Sequence, residues 1–77
     1  MLEALVLERI ALADRHLRDA EGRIAVQRWR VTNYVGEEKE KAAARLNDLL
    51  QSLDQIRIHR VHLNEELRLC RISYYAL

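Results

Sequence analysis

The chain has 77 residues, with 13 Lys and Arg against 12 Asp and Glu, which gives a formal net charge of +1. Ala, Glu, Lys, Leu and Arg fill 43 positions, proline and phenylalanine are absent, and glycine occurs only at Gly22 and Gly36. This composition is typical of coiled coils and long helices. It excludes collagen, β-sandwiches and most enzyme folds, which need turns, strands and concave pockets. The near-zero charge gives no reason to expect nucleic acid or an anionic membrane as a partner.

Cysteine content and hydropathy indicate a cytoplasmic setting. Cys70 is the only cysteine, so no disulfide forms within the chain and a reducing compartment is expected. No stretch approaches the ~18 uninterrupted apolar residues of a transmembrane helix. The apolar start is interrupted by Glu3 and Glu8 and lacks the cationic lead and small-residue cleavage site of a secretory signal.

The first periodic segment predicts a helix over about residues 3–34. Its apolar positions recur at alternating intervals of four and three, the spacing of one helical face. Gln27 is the polar exception, and Gly22 falls at an outward position where it does not interrupt the pattern. The positions on this face are Val6, Ile10, Ala13, Leu17, Ala20, Ile24, Gln27, Val31 and Tyr34.

A second segment with the same period predicts a helix over about residues 38–75, with a hinge at about 35–37. Gly36 suits the hinge because glycine adopts the left-handed conformation that ends helices. The acidic residues Glu37, Glu38 and Glu40 follow it, where a helix N-terminus favours negative charge. Arg60 is the charged exception on this second face, which comprises Ala42, Leu46, Leu49, Leu53, Ile56, Arg60, Leu63, Leu67, Cys70, Tyr74 and Leu77.

Two helices around one hinge predict an all-α fold, a single antiparallel two-helix coiled-coil hairpin over residues 1–77. With the hinge at Gly36, Arg60 lies opposite Ala13 and Gln27 lies opposite Leu46. The flanking charges then place Arg9 near Glu66 and Asp14 near Arg57, which are attractive pairs. Arg30 falls beside Arg45, a mild conflict.

A further apolar stripe on the second helix predicts self-association. It lies roughly opposite the hairpin seam at about 100° per residue, and one partner helix cannot cover both faces. We therefore expect a homo-oligomer, with a two-fold dimer forming a four-helix bundle favoured. The expected partner interface consists of this apolar stripe and one indole: Leu50, Ile58, Val61, Leu69, Ile72 and Trp29.

Three histidines are weak candidates for chemistry. His16, His59 and His62 form a conceivable metal cluster with nearby carboxylates, although their spacing matches no recognised metal motif. His16 also suggests phosphotransfer, because histidine-kinase dimerisation domains are hairpins that pair into four-helix bundles. The residues after His16 do not match that motif, so solvated or seam-flanking imidazoles are the favoured interpretation.

The segment Arg28-Trp29-Arg30 combines cations with the only indole, a combination that binds single-stranded nucleic acid by stacking and phosphate contact. A lone tryptophan on a helix is more often an interface anchor, so we favour a partner helix over nucleic acid. Gln27 and Arg60 are either tolerated seam residues or residues that set register and oligomer state. Cys70 is expected to be a small buried residue, with an intersubunit disulfide as the alternative.

The pattern of Arg15-His16, Glu21, Ile24, Gln27, a glycine hinge, Leu49-Leu50, Leu53 and the run from Ile56 to Arg60 resembles a group of short bacterial proteins. These proteins look like two-helix coiled-coil hairpins of unknown function. The chain departs from them after Gly36, where Glu37 and Glu38 replace their Asp-Thr or Asp-Ser. The resemblance implies the hairpin fold and brings no substrate, cofactor or site residues.

The sequence therefore predicts a small self-associating coiled-coil module for protein interaction or regulation, with no cofactor. No nucleophile–base pair, phosphate-cradling glycine loop or carboxylate dyad is present, so we expect no catalysis. The alternatives are a His-bearing signalling or metal-responsive bundle and, third, a weak nucleic-acid binder. A protein partner is expected to dock one of its helices against the exposed face.

Overall fold

The computed structural model describes residues 2–76, with side chains up to residue 73. Two helices account for nearly all of this range: α1 spans Leu2–Asn33 and α2 spans Gly36–Ala76. Only Tyr34 and Val35 lie between them, and the described residues contain no strand. The prediction of an all-α fold built from two helices that pack against each other is confirmed.

The connection between the helices depends on Gly36, whose φ is 63°. This left-handed conformation was predicted for Gly36, and it lets the chain reverse within two residues because glycine has no Cβ to clash. Side chains complete the end of α1: Asn33 Nδ2 donates to Trp29 O at 2.8 Å, and Thr32 Oγ1 donates to Arg28 O at 3.0 Å. These side chains add a second donor to carbonyls in the last two turns of α1, and Tyr34 N donates to Arg30 O at 2.8 Å.

The seam between the helices consists of the residues that the four-and-three spacing selected. Seven of these residues are buried. The other described residues of the seam are half-buried, except Tyr34, which is exposed. Tyr74 and Leu77, which were predicted to belong to the seam, lie outside the described side chains. The buried residues are Val6, Ala13, Ile24, Gln27, Ala42, Leu53 and Leu63.

Three side-chain contacts fix how α1 and α2 lie against each other. Arg71 Nε donates to Glu3 Oε1 at 2.9 Å, Arg60 Nε donates to Asp14 Oδ1, and Gln27 Nε2 donates to Ala42 O at 2.9 Å. Partner numbers therefore fall along α2 as they rise along α1, so the two helices form a hairpin. Its Cα atoms span 63 × 14 × 12 Å, so most of each helix faces solvent.

Candidate interaction surfaces and the arginine groove

Gln27 is the buried polar residue of the seam, with 5% of its surface exposed. Its amide group bridges the helices by donating to Ala42 O at 2.9 Å, whereas the sequence placed it opposite Leu46. Its Oε1 accepts a hydrogen bond from Arg30 Nη1 at 3.2 Å. Both ends of the amide are therefore satisfied, which removes the cost of burying a polar group.

Arg60 leaves the seam to reach a carboxylate. Ala13, its predicted partner, is buried, and Arg60 donates to Asp14, the next residue. The prediction paired Asp14 with Arg57 instead. Arg60 takes that carboxylate because a flexible stem lets a charged head leave an apolar position for solvent, and both side chains keep 40% of their surface exposed.

The apolar stripe of α2 is largely unpartnered within the chain. Ile58 is 56% exposed and Val61 is 65% exposed. Leu69 and Ile72 are also exposed, and only Leu50 is half-buried. The cross-helix contacts place residues 58–73 level with residues 2–16, and we call these segments together the terminal half. This half also carries the exposed leucines of α1: Leu2, Leu5, Leu7 and Leu12.

Trp29 lies at the opposite end of the hairpin from most of the stripe. It is 60% exposed and its ring meets that of Tyr34 edge to face, with centroids 6.4 Å apart. Exposed Val35 is close by in sequence. Trp29 thus belongs to a small aromatic patch at the connection, about 20 Å along the helix axis from Ile58 by the rise of 1.5 Å per residue.

An open groove crosses the other half of the hairpin, residues 17–57, which we call the hinge half. Its volume is about 640 Å³, and Gln27 and Leu49 form part of its wall. A second cavity of about 560 Å³ continues it and shares Arg23 and Arg45 with the first. We name it the arginine groove after four of its lining residues: Arg18, Arg23, Arg30 and Arg45.

The groove separates the members of the segment Arg28-Trp29-Arg30. Arg30 lines the groove, whereas Trp29 packs on Tyr34 and Arg28 does not line it. Successive helical residues point about 100° apart, so a helix cannot present all three side chains to one ligand face. The sequence predicted Arg30 beside Arg45 only as a mild conflict. The heptad spacing of Arg23 and Arg30 places both on one face of α1, but it does not show that Arg45 of α2 lies on the same groove.

The histidines do not come together as a metal centre. His16 lines the second cavity of the groove, and all three imidazoles are exposed. Over residues 2–76, no group of three or more His, Cys, Asp or Glu side chains is placed to hold a metal ion. Cys70 is half-buried with a free thiol.

The surface ion pair between Glu65 and Arg68 shifts the pKa values of both groups. Arg68 Nε donates to both carboxylate oxygens of Glu65, at 3.1 and 3.0 Å. This hydrogen bonding lowers the pKa of the Glu65 carboxyl below its ordinary value and raises that of the Arg68 guanidinium. Both side chains are more than half exposed, so solvent screens the attraction between them.

Neither helix, over the part of the chain that the structure describes, has a segment long and apolar enough to cross a membrane. No family model, curated protein or solved structure matches the chain. The resemblance to short bacterial hairpin proteins therefore stays a prediction, and functional inference depends on the surfaces described above.

Proposed function

We propose that the chain is a self-associating interaction module, an antiparallel coiled-coil hairpin that pairs with a second copy into a four-helix bundle. The observation that carries this proposal is the exposed apolar stripe of the terminal half. Ile58, Val61, Leu69 and Ile72 all keep about half or more of their surface in water. Burying apolar surface is worth roughly 25 cal/mol per Å², so a second copy that covers the stripe gains stability.

The accessible surface supports the same proposal. The chain exposes 6148 Å², whereas a folded monomer of 9.1 kDa is expected to expose about 4,900 Å². The excess of about 1,200 Å² per chain is more than the area that each partner buries in a standard protein interface, about 800 Å². A short hairpin with a single seam buries little apolar surface of its own, and an interface with a second copy supplies the burial that a larger domain obtains from its own core.

The mechanism follows from the placement of charge and apolar surface. Two hairpins that lay their α2 stripes together bury branched aliphatic side chains, which pack well between helices. Asp54 and Glu65 interrupt the stripe, and such polar interruptions restrict the register in which two copies fit. A partner protein that presents one amphipathic helix competes for the same face, which gives the module a means of regulation.

Sedimentation equilibrium of the wild-type chain and of Val61→Glu tests the proposal. The wild type is expected at twice the monomer mass at micromolar concentration, and Val61→Glu is expected to shift toward monomer because it introduces an unpaired charge into an apolar interface. Gln55→Glu is the matched control: the same charge is added at an exposed position of α2 outside the stripe, and its dimer is expected to persist. A wild type that sediments as a folded monomer overturns the proposal.

A further inference from the structure

The arginine groove collects cations from both helices. Arg18, Arg23 and Arg30 come from α1 and Arg45 comes from α2, while the two acidic side chains of the groove are Asp19 and Asp48. The groove is therefore net positive in a chain whose total charge is close to zero. Arginines brought together on one surface repel one another, so the isolated protein carries a local electrostatic cost here.

Three arginines outside the groove already have a carboxylate partner. Arg60, Arg68 and Arg71 each hold a carboxylate within 4.0 Å. Among the described residues, the four arginines of the groove form no such ion pair, and neither do Arg9, Arg15, Arg28 and Arg57. The groove arginines are distinguished by lining one common cavity. Apart from Arg30 Nη1, which donates to Gln27 Oε1, their guanidinium donors are available to an anion from solution.

Gln27 holds the Arg30 guanidinium in place on one side of the groove. It is 95% buried, its amide nitrogen is fixed on Ala42 O at 2.9 Å, and its oxygen receives Arg30 Nη1 at 3.2 Å. A buried side chain held by the opposite helix therefore orients an exposed guanidinium. This preorganisation lowers the conformational entropy that Arg30 would lose on binding a ligand.

Gly22 lines the groove on the α1 side. A Cβ at this position would meet no atom within 4 Å, and the residue lies between Arg18 and Val26 on the α1 wall. Leu49 and Gln27 line the groove near the seam. The groove therefore combines an open mouth, a partly apolar lining and guanidinium groups from both helices.

We propose that the arginine groove binds a compact ligand with two or more linked phosphate groups. Guanidinium groups hold phosphate oxygens with paired, charge-assisted hydrogen bonds, and all four basic groups that line the main cavity are arginines. Arg23 and Arg30 lie seven residues apart, about 10 Å along the helix. Flexible side chains with this separation converge on neighbouring phosphates, and Arg45 closes the site from α2.

This site is independent of the proposed dimer interface. On α2, Arg45, Asp48 and Ser52 line the groove on one side of the seam, whereas Leu50 and Val61 lie on the other side by helical spacing at about 100° per residue. A dimer that binds no phosphate ligand overturns only the groove site. A monomer that binds one overturns only the proposed self-association.

Isothermal titration with sodium tripolyphosphate, at constant ionic strength set by sodium chloride, tests the groove. The wild type is expected to bind, and Arg23→Gln/Arg45→Gln is expected to lose at least about tenfold in affinity, since each lost charged hydrogen bond is worth more than 1 kcal/mol. Arg15→Gln/Arg57→Gln is the control: it removes the same charge from exposed positions outside the groove and is expected to bind like the wild type.

Two further measurements distinguish a loss of the binding site from a loss of folding. The double groove variant removes like charges, so circular dichroism is expected to show a helix content and melting temperature no lower than those of the wild type. Gln27→Leu is expected to weaken tripolyphosphate binding several-fold, because Arg30 loses the oxygen to which it donates. Absence of binding by the wild type, equal losses in the groove and control variants, or binding of a single-stranded oligonucleotide but not of tripolyphosphate each overturns the proposal.

Discussion

The two glycines of the chain, Gly22 and Gly36, have different backbone conformations. Gly36 has φ of 63°, whereas Gly22 lies within α1 and is not among the positive-φ residues. A Cβ at either position would meet nothing within 4 Å. Any difference between alanine substitutions at the two sites therefore comes from backbone conformation and not from collision.

Alanine at these two positions is expected to change stability in opposite directions. Gly36→Ala should lower the free energy of unfolding by about 1–2 kcal/mol because an L-residue is strained in the left-handed region. Gly22→Ala should raise it by up to about 1 kcal/mol through helix propensity. Urea unfolding followed by circular dichroism, at one protein concentration, measures both. Gly36→Asn should lose less than Gly36→Ala, and a Gly36→Ala protein as stable as the wild type would contradict the argument.

Glu65 offers a test of electrostatics at a single residue. Hydrogen bonds from Arg68 lower the pKa of its carboxyl, so the ionised form is favoured in the folded state. The resulting stability is present at pH values above the unfolded pKa and is lost as the pH falls through the lowered folded value. In Arg68→Gln, carbon-detected NMR titration should show the Glu65 pKa returning upward toward its ordinary value, while Arg57→Gln should leave it unchanged. An unchanged Glu65 pKa in Arg68→Gln would rule out Arg68 as the cause.

At the scale of the helices, the spacing of apolar residues was enough to identify the seam. Val6, Ala13 and Ile24 of α1 are buried, as are Leu53 and Leu63 of α2, because a helix repeats its face every three to four residues. The ion pairs across the seam were harder to predict. A long charged side chain has several oppositely charged partners within reach. Which partner it contacts depends on the space left by small neighbouring residues, and that space is set by how the two helices pack together.

The Asp14–Arg60 pair ties the two helices together near the middle of the seam. Each side chain keeps 40% of its surface exposed, so solvent screens the attraction. We expect a coupling energy of about 0.2–1 kcal/mol from a double-mutant cycle of Asp14→Asn and Arg60→Gln. The Glu37–Lys41 pair lies within one helix and is more exposed, so its cycle should give less coupling. A coupling energy of zero between Asp14 and Arg60 would mean that this pair does not stabilise the contact between the helices.

At the scale of the whole molecule, the two halves of the hairpin present different surfaces. Exposed aliphatic side chains such as Ile58 and Leu5 occupy the terminal half, and the arginine groove occupies the hinge half. Periodicity along the sequence predicted the faces of each helix, and it also predicted the apolar stripe. It could not assign Trp29 to a patch apart from that stripe, or recognise four arginines as one groove, because both depend on which residues of α1 lie level with which residues of α2.

The elongated shape distinguishes the proposed bundle from other modes of association. The Cα radius of gyration is 17.7 Å for a molecule 63 Å long. Two hairpins packed side by side at the usual interhelical distance of 8–10 Å should have a radius of gyration of about 18–19 Å, although the mass doubles. End-to-end pairing through the aromatic patch at Trp29 should instead roughly double it, since the centres then lie a full molecular length apart. Small-angle X-ray scattering over a concentration series gives both mass and radius. A doubled mass with a nearly constant radius supports the bundle, and a radius that grows in proportion to length places the interface at the connection.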